Sequence, residues 1–144
     1  MADVMIGQLG EASEAAAEQL GALMQQLTAN AQPLDVDRLR TIVEASALYV
    51  AKADGRIIGT VCRIDLRHPV RTKCWIEDLV VDSEFRGQGI ARRLMEAAIA
   101  GAPEEAVSVN LNSNVARTES HRLYQKLGFA VREETRIWLL KLPR

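Results

Sequence analysis

Only two cysteines, Cys62 and Cys74, occur among the 144 residues. They stand far apart and in no Cys-x-x-Cys or Cys/His spacing, which argues against a zinc site or a disulfide framework and assigns both to strands or core. Basic residues show no excess: 18 Lys and Arg against 19 Asp and Glu leave a formal net charge of −1. A chain built to grip a polyanion normally carries a cationic surplus, so nucleic acid is not an expected partner. No apolar run reaches the ~18 residues that a membrane span requires, and Asp3 stands where a secretory signal would carry positive charge. A membrane association is therefore not expected, and a cytoplasmic location is. Internal repeats, low-complexity tracts and interdomain linkers are also lacking.

What is present is ordinary for a globular protein, with 48% hydrophobic and 26% charged residues. The length suits a single domain over 1–144. Residues 4–9 read as a first strand, and 11–27 as an amphipathic helix with Leu20, Leu23, Met24 and Leu27 at helical spacing. A break at 30–33 precedes a second helix over 36–45, capped by Asp35. The period then changes. Strands at 48–51 and 57–61 flank Asp54-Gly55, a hairpin signal, and a polar stretch over 67–73 containing Pro69 separates them from a strand at 75–81.

Helix resumes after Gly89 with Ile90, Leu94, Ala97 and Ala98 as its buried stripe, and Gly101-Ala102-Pro103 stops it. A strand at 107–111, a helix at 115–127 ended by Gly128, and two final strands at 129–131 and 137–142 complete the chain. This order predicts an α/β fold: a mixed sheet flanked by helices, with β-α-β units in its second half.

The turn from the 75–81 strand into the following helix carries Gly87, Gly89 and the small Ala91. Small residues let backbone approach a ligand. A helix N-terminus presents amides without intrahelical acceptors at the positive end of the helix dipole, a combination that suits a diphosphate. Arg86 and Arg92 can add charge-assisted contacts. Neither the dinucleotide fingerprint G-x-G-x-x-G nor the P-loop G-x-x-x-x-G-K-[ST] can be written onto this segment. Arg-x-x-Gly-x-Ala, spelled by Arg86, Gly89 and Ala91, does fit.

Leu79-Val80-Val81-Asp82-Ser83-Glu84-Phe85-Arg86-Gly87-Gln88-Gly89-Ile90-Ala91 resembles the acetyl-CoA motif of the GNAT family of N-acetyltransferases. Ser120-His121-Arg122-Leu123-Tyr124-Gln125-Lys126-Leu127-Gly128-Phe129 is similar to the family's later helix, with its tyrosine and the Gly-Phe that opens the next strand. The resemblance covers about 48–142. It implies the GNAT fold, a mostly antiparallel central sheet splayed between the fourth and fifth strands. It also implies acetyl-CoA as cofactor. Pantetheine would bond to the backbone of Leu79, Val80 and Val81, and pyrophosphate would lie on Arg86, Gly87, Gln88, Gly89, Ile90, Ala91 and Arg92. No metal is required.

The resemblance further gives Tyr124 the role of protonating the departing thiolate; a phenol of pKa about 10 is protonated at neutral pH and suited to it. An ammonium must lose its proton before it attacks, so a base is needed, and Glu77 is the candidate. Period-two alternation puts Glu77 on the face of Leu79 and Val81, with Asp78 opposite unless a bulge intervenes, so Asp78 and water stay open as alternatives. Asn112 and Asn114 can contact pantetheine amides or cap the helix. His121 has no second ligand at metal spacing and is not assigned to catalysis.

The run Asn110 to Asn114 ahead of Arg117 and His121 resembles small-amine acetyltransferases of the aminoalkylphosphonate type, while Ile76-Glu77-Asp78 is similar to amino-sugar-phosphate acetyltransferases. The expected acceptor is a small-molecule primary amine, and Arg67, Arg71 and Lys73 suit one that carries an anionic group. Alternatives are a noncatalytic acetyl-CoA-binding module and acetylation of a protein N-terminus. Neither cysteine has an activating neighbour, so direct transfer without an acyl-enzyme is expected. Members of the family often form homodimers through C-terminal strands, and Ile137-Trp138-Leu139-Leu140 has the apolar character for it.

Overall fold

Asp54 and Gly55 both take left-handed backbone, with φ of 51° and 78°, the primed turn geometry that matches the twist of paired strands. The computed structural model, which describes residues 3–144, accordingly folds β2 (Ala47–Ala53) against β3 (Arg56–His68) as an antiparallel hairpin. β1 (Val4–Gln8) lies outside β2, and β4 (Arg71–Val81) outside β3, both antiparallel; β5 (Ala106–Leu111) closes the order β1-β2-β3-β4-β5 in parallel with β4. The sheet is thus mixed and mostly antiparallel, as expected.

The helices α1 (Glu14–Leu27) and α2 (Val36–Ala45) begin at side-chain caps, Ser13 accepting from Ala16 N and Asp35 from Arg38 N. They cover one sheet face, where Ala16, Ala17, Leu20, Leu23 and Leu39 pack on Leu48, Val50, Ile57, Cys62 and Val80. Each large aliphatic side chain buried there contributes about 1.5–3 kcal/mol. The opposite face carries α3 (Ile90–Ala100), whose Leu94, Met95 and Ala98 are fully buried. Gly59 allows that close contact: a Cβ there would lie 3.2 Å from Leu94 Cδ1.

On the α3 face the buried Arg63 is 5% exposed, which requires its charge to be answered. Arg63 Nε and Nη2 donate to the Asp65 carboxylate at 2.8 and 3.2 Å, and Nη1 donates to the Ala98 carbonyl at 2.8 Å and the Tyr49 hydroxyl at 3.2 Å. This guanidinium therefore ties β2, β3 and the last turn of α3 together. The Arg63 partner holds the Asp65 carboxyl below the usual aspartate range.

The chain divides into two compact units, Met1–Asn112 and Ser113–Arg144. The second contains α4 (Thr118–Lys126), shorter than the predicted 115–127. Two expectations are overturned. The polar 67–73 stretch is no separator: Arg67 and His68 end β3, Arg71 to Lys73 begin β4, and only Pro69-Val70 turns between them. The predicted strands at 129–131 and 137–142 are not formed, and Ile137, Trp138, Leu139 and Leu140 are 78–90% exposed. Strand propensity is realised only against a paired, packed neighbour, which these residues do not have within their own unit.

Candidate active site

The site begins with one extra residue. From His68↔Arg71 to Cys62↔Glu77 the β3–β4 register is constant, but Thr60 pairs with Val80 and Gly59 with Val81, so β4 holds a bulge between Glu77 and Val80. Asp78 sits in it with φ 55°. The expected alternation is therefore broken. Glu77 pairs with Cys62 on the α1/α2 face, whereas Val81 pairs with Gly59 on the α3 face, and the two point to opposite sides.

β4 and β5 are paired only as far as Ile76↔Leu111, where β5 ends and β4 continues to Val81. Val80 and Val81 thus have ladder partners in β3, Leu79 beside the bulge has none, and none of the three has one in β5, the splay that was expected. Asn112 follows β5 and is exposed.

The loop after β4 is fixed from two sides. Asp82 N donates to the Ile58 carbonyl at 2.7 Å, Ser83 N donates to Gln26 Oε1 at 3.0 Å, and Glu84 N donates to Asp82 Oδ1 at 2.9 Å. Arg86 folds back, its Nε donating to the Val81 carbonyl at 3.1 Å. Gly87 and Gly89 have φ of 77° and 76°, and a Cβ on either would meet nothing within 4 Å. Backbone conformation, not crowding, demands glycine at both, and the space over them is open. Gly89 is the N-cap of α3 and supplies no side-chain cap; the first helical bond is Arg93 N to the Gly89 carbonyl. The amides of Ile90, Ala91 and Arg92 are consequently left without helical acceptors beside exposed Gln88. Arg92 pairs with Glu96 at 3.1 Å.

Glu77 is exposed as a residue, yet loss of hydration around its carboxyl, followed by the neighbouring Asp78 carboxylate, raises its pKa above the ordinary glutamate value. Burial raises both thiols, that of Cys74 to about 11 with Asp65 adding to the effect, so neither is a poised nucleophile.

In the second unit Tyr124 is half-buried, packed edge-on against Phe129 with centroids 6.0 Å apart, and Phe129 N donates to its carbonyl at 3.0 Å. Burial raises the phenol pKa, partly offset by the Arg117 charge and by Ser120. Asn114 Oδ1 accepts from Ala116 N at 2.9 Å, and the His121 ring lies 2.9 Å from the Asn114 carbonyl. Asn114 is thereby engaged in a turn ahead of α4 and does not cap it, since the N-cap is Arg117 with no side-chain hydrogen bond, and His121 is engaged in a local hydrogen bond.

Sequence reasoning missed Arg63, Asp65 and Tyr49 as a buried network, because it ended the third strand at Val61. The alternation of Arg63 and Asp65 with Ile64 and Leu66 carries the period-two signal that would have extended it.

Residues 15–129 match the sequence model of the Acetyltransferase (GNAT) family. Human N-acetyltransferase 8B is 32% identical over 87 residues, 58% of this chain and 38% of that protein. N-alpha-acetyltransferase 30 of Saccharomyces cerevisiae is 36% identical over 70 residues, 48% of this chain and 40% of that one. The chain thus spans about two fifths of the length of these relatives. Among solved structures, a Trypanosoma brucei acetyltransferase superposes with TM-score 0.78 at 26% identity, covering 96% of this chain and 100% of the other.

Proposed function

Since the chain belongs to the acetyltransferase (GNAT) family, we propose that it is an acetyl-transferring enzyme that moves the acetyl group of acetyl-CoA directly to a primary amine, that of a small molecule. The observation that carries this reading is the uncapped N-terminus of α3, entered through two left-handed glycines with open space above them. Three outward amides and a positive helix end fit a diphosphate, and the unpartnered β4 backbone fits an extended amide-bearing chain; the residues present suit the cofactor. The main chain of Leu79, Val80 and Val81 would hold pantetheine. Arg86 to Arg92 would hold pyrophosphate, and Asn112 and Asn114 are proposed to contact pantetheine amides. Bound there, acetyl-CoA supplies an acetyl group activated as a thioester.

We assign Glu77 the proton of the acceptor ammonium, taken directly or through water, and Tyr124 the proton returned to the thiolate sulfur. A raised Glu77 pKa makes the carboxylate a better base, and a raised Tyr124 pKa keeps the phenol protonated. In this reading residues 1–144 act as one catalytic domain in the cytoplasm, and Ile137–Leu142 mediates a homodimer.

A screen for CoA release across amino sugars, aminophosphonates, polyamines, amino acids and short peptides tests reaction and acceptor together. Turnover with small amines is the expected result. Binding of acetyl-CoA without turnover of any amine would favour a noncatalytic module, and turnover of peptides alone would favour a protein N-terminus, as the name of the yeast relative suggests.

A further inference from the structure

Within the first unit, the face of the sheet that α1 and α2 cover stops being covered by them at Cys62. Beyond it, β3 and β4 continue toward the Pro69-Val70 turn as an antiparallel ladder whose rungs on that face are Cys62↔Glu77, Ile64↔Trp75, Leu66↔Lys73 and His68↔Arg71. Ile64 and Leu66, on successive rungs of the second half of β3, are 37% and 43% exposed, which leaves two large aliphatics side by side on the surface. Trp75 is half-buried beside them, with the Lys73 ammonium 5.7 Å from its ring centroid. The stripe therefore runs from a carboxylate, across aliphatic and aromatic surface, to cations.

Those cations differ from their neighbour. Arg67, on the other face, is neutralised by Glu105 at 3.0 Å, whereas among the described residues neither Lys73 nor Arg71 has a carboxylate partner. Successive rungs on one face are about 7 Å apart, which puts Lys73 about 13 Å and Arg71 about 20 Å from Glu77 along the strand. We infer that this stripe is the acceptor surface, and that the acceptor is a primary amine joined through an aliphatic or aromatic segment to an anionic group lying over Lys73 or Arg71. The inference rests on the proposed acetyl transfer. Its charge complementarity is fixed at both ends: an ammonium at Glu77, an anion at the hairpin tip. The apolar middle favours a molecule long enough to lie along the strands over a compact polyol, which would leave Ile64, Leu66 and Trp75 wet.

The test uses ω-amino carboxylates of graded length and their matched primary amides, with acetyl-CoA present, on the Trp138→Phe variant, in which Trp75 is the sole tryptophan. CoA release and Trp75 emission are read in parallel. We expect kcat/KM to rise about twofold per added methylene, half the transfer value of a fully buried one, until the carboxylate reaches Lys73. The carboxylate should be preferred to the amide by about threefold to fivefold, and Lys73→Glu should invert that preference. Trp75 emission should respond to the long amines and not to the shortest. CoA release indifferent to length and end charge, with silent Trp75, would overturn the inference while leaving acetyl transfer standing. A Trp75 response without CoA release would support the surface and overturn the reaction. Emission that follows protein dilution and ignores amines would give the stripe to a second copy of the chain and overturn the inference. The length series requires no change within the stripe, so it decides even if Lys73→Glu fails to fold.

Discussion

A phenol and two carboxylates set what single residues can be asked to do. Tyr124→Phe removes only an O–H from a ring whose contact with Phe129 survives, so stability should hold while kcat falls about a hundredfold or more with little change in KM; steady-state kinetics beside a melting curve checks this. For Glu77 the sign follows from its raised pKa. As the proposed base it works only when deprotonated, so activity should fall as pH drops through that value, above the usual glutamate pKa of about 4.3. A kcat/KM profile should show this acid limb, and Glu77→Gln should abolish it. Asp65 has the opposite sign. Its carboxyl is held low by Arg63, so it stabilises the fold above the unfolded value of about 3.9, and that stability is lost as pH falls through the lower folded value. Melting temperatures across acid pH should fall more steeply for the native chain than for Asp65→Asn.

At the scale of elements, the proposed chemistry lies on α3 and β4. Gly89→Ala forces an L side chain into left-handed backbone at about 1–2 kcal/mol, and the loop relieves it by moving its amides. KM for acetyl-CoA should rise about fivefold to thirtyfold with kcat largely kept, and Gly89→Asn, which tolerates this conformation, should cost less; titration of acetyl-CoA decides. This helix entry was legible because its glycines and its apolar stripe are local signals. α2 was legible to the residue, through Asp35 and the spacing of Val36, Leu39 and Val43. The β4 bulge was not, since Glu77 to Val81 contains no glycine and an extra residue shows only against the partner strand. The length of β3 was hidden as well: charged Arg63 and Asp65 look like a strand's end until their burial against Tyr49 and α3 is known.

The whole molecule poses the question of assembly. Ile137, Trp138, Leu139 and Leu140 expose apolar surface that a stable monomer ordinarily hides, and we propose that a second copy covers it. Sedimentation should show a dimer, and Trp138→Asp with Leu140→Asp should return it to a monomer with its melting behaviour otherwise retained. The expected strands at 129–131 and 137–142 failed for the same physical reason that makes this proposal testable, since apolar β-favouring residues declare an appetite for pairing without naming the partner.

The bulge at Asp78 bears on how such a molecule can diversify. Because it reverses which side of the sheet β4 addresses, Glu77, Trp75 and Lys73 look one way and Val81 looks the other, so mutations along the first set can be explored with little disturbance to the second. A library randomising Ile64, Leu66, Lys73 and Trp75 should then retune choice at the proposed acceptor surface on an unchanged proposed cofactor cradle, as interchangeable heads fit one handle.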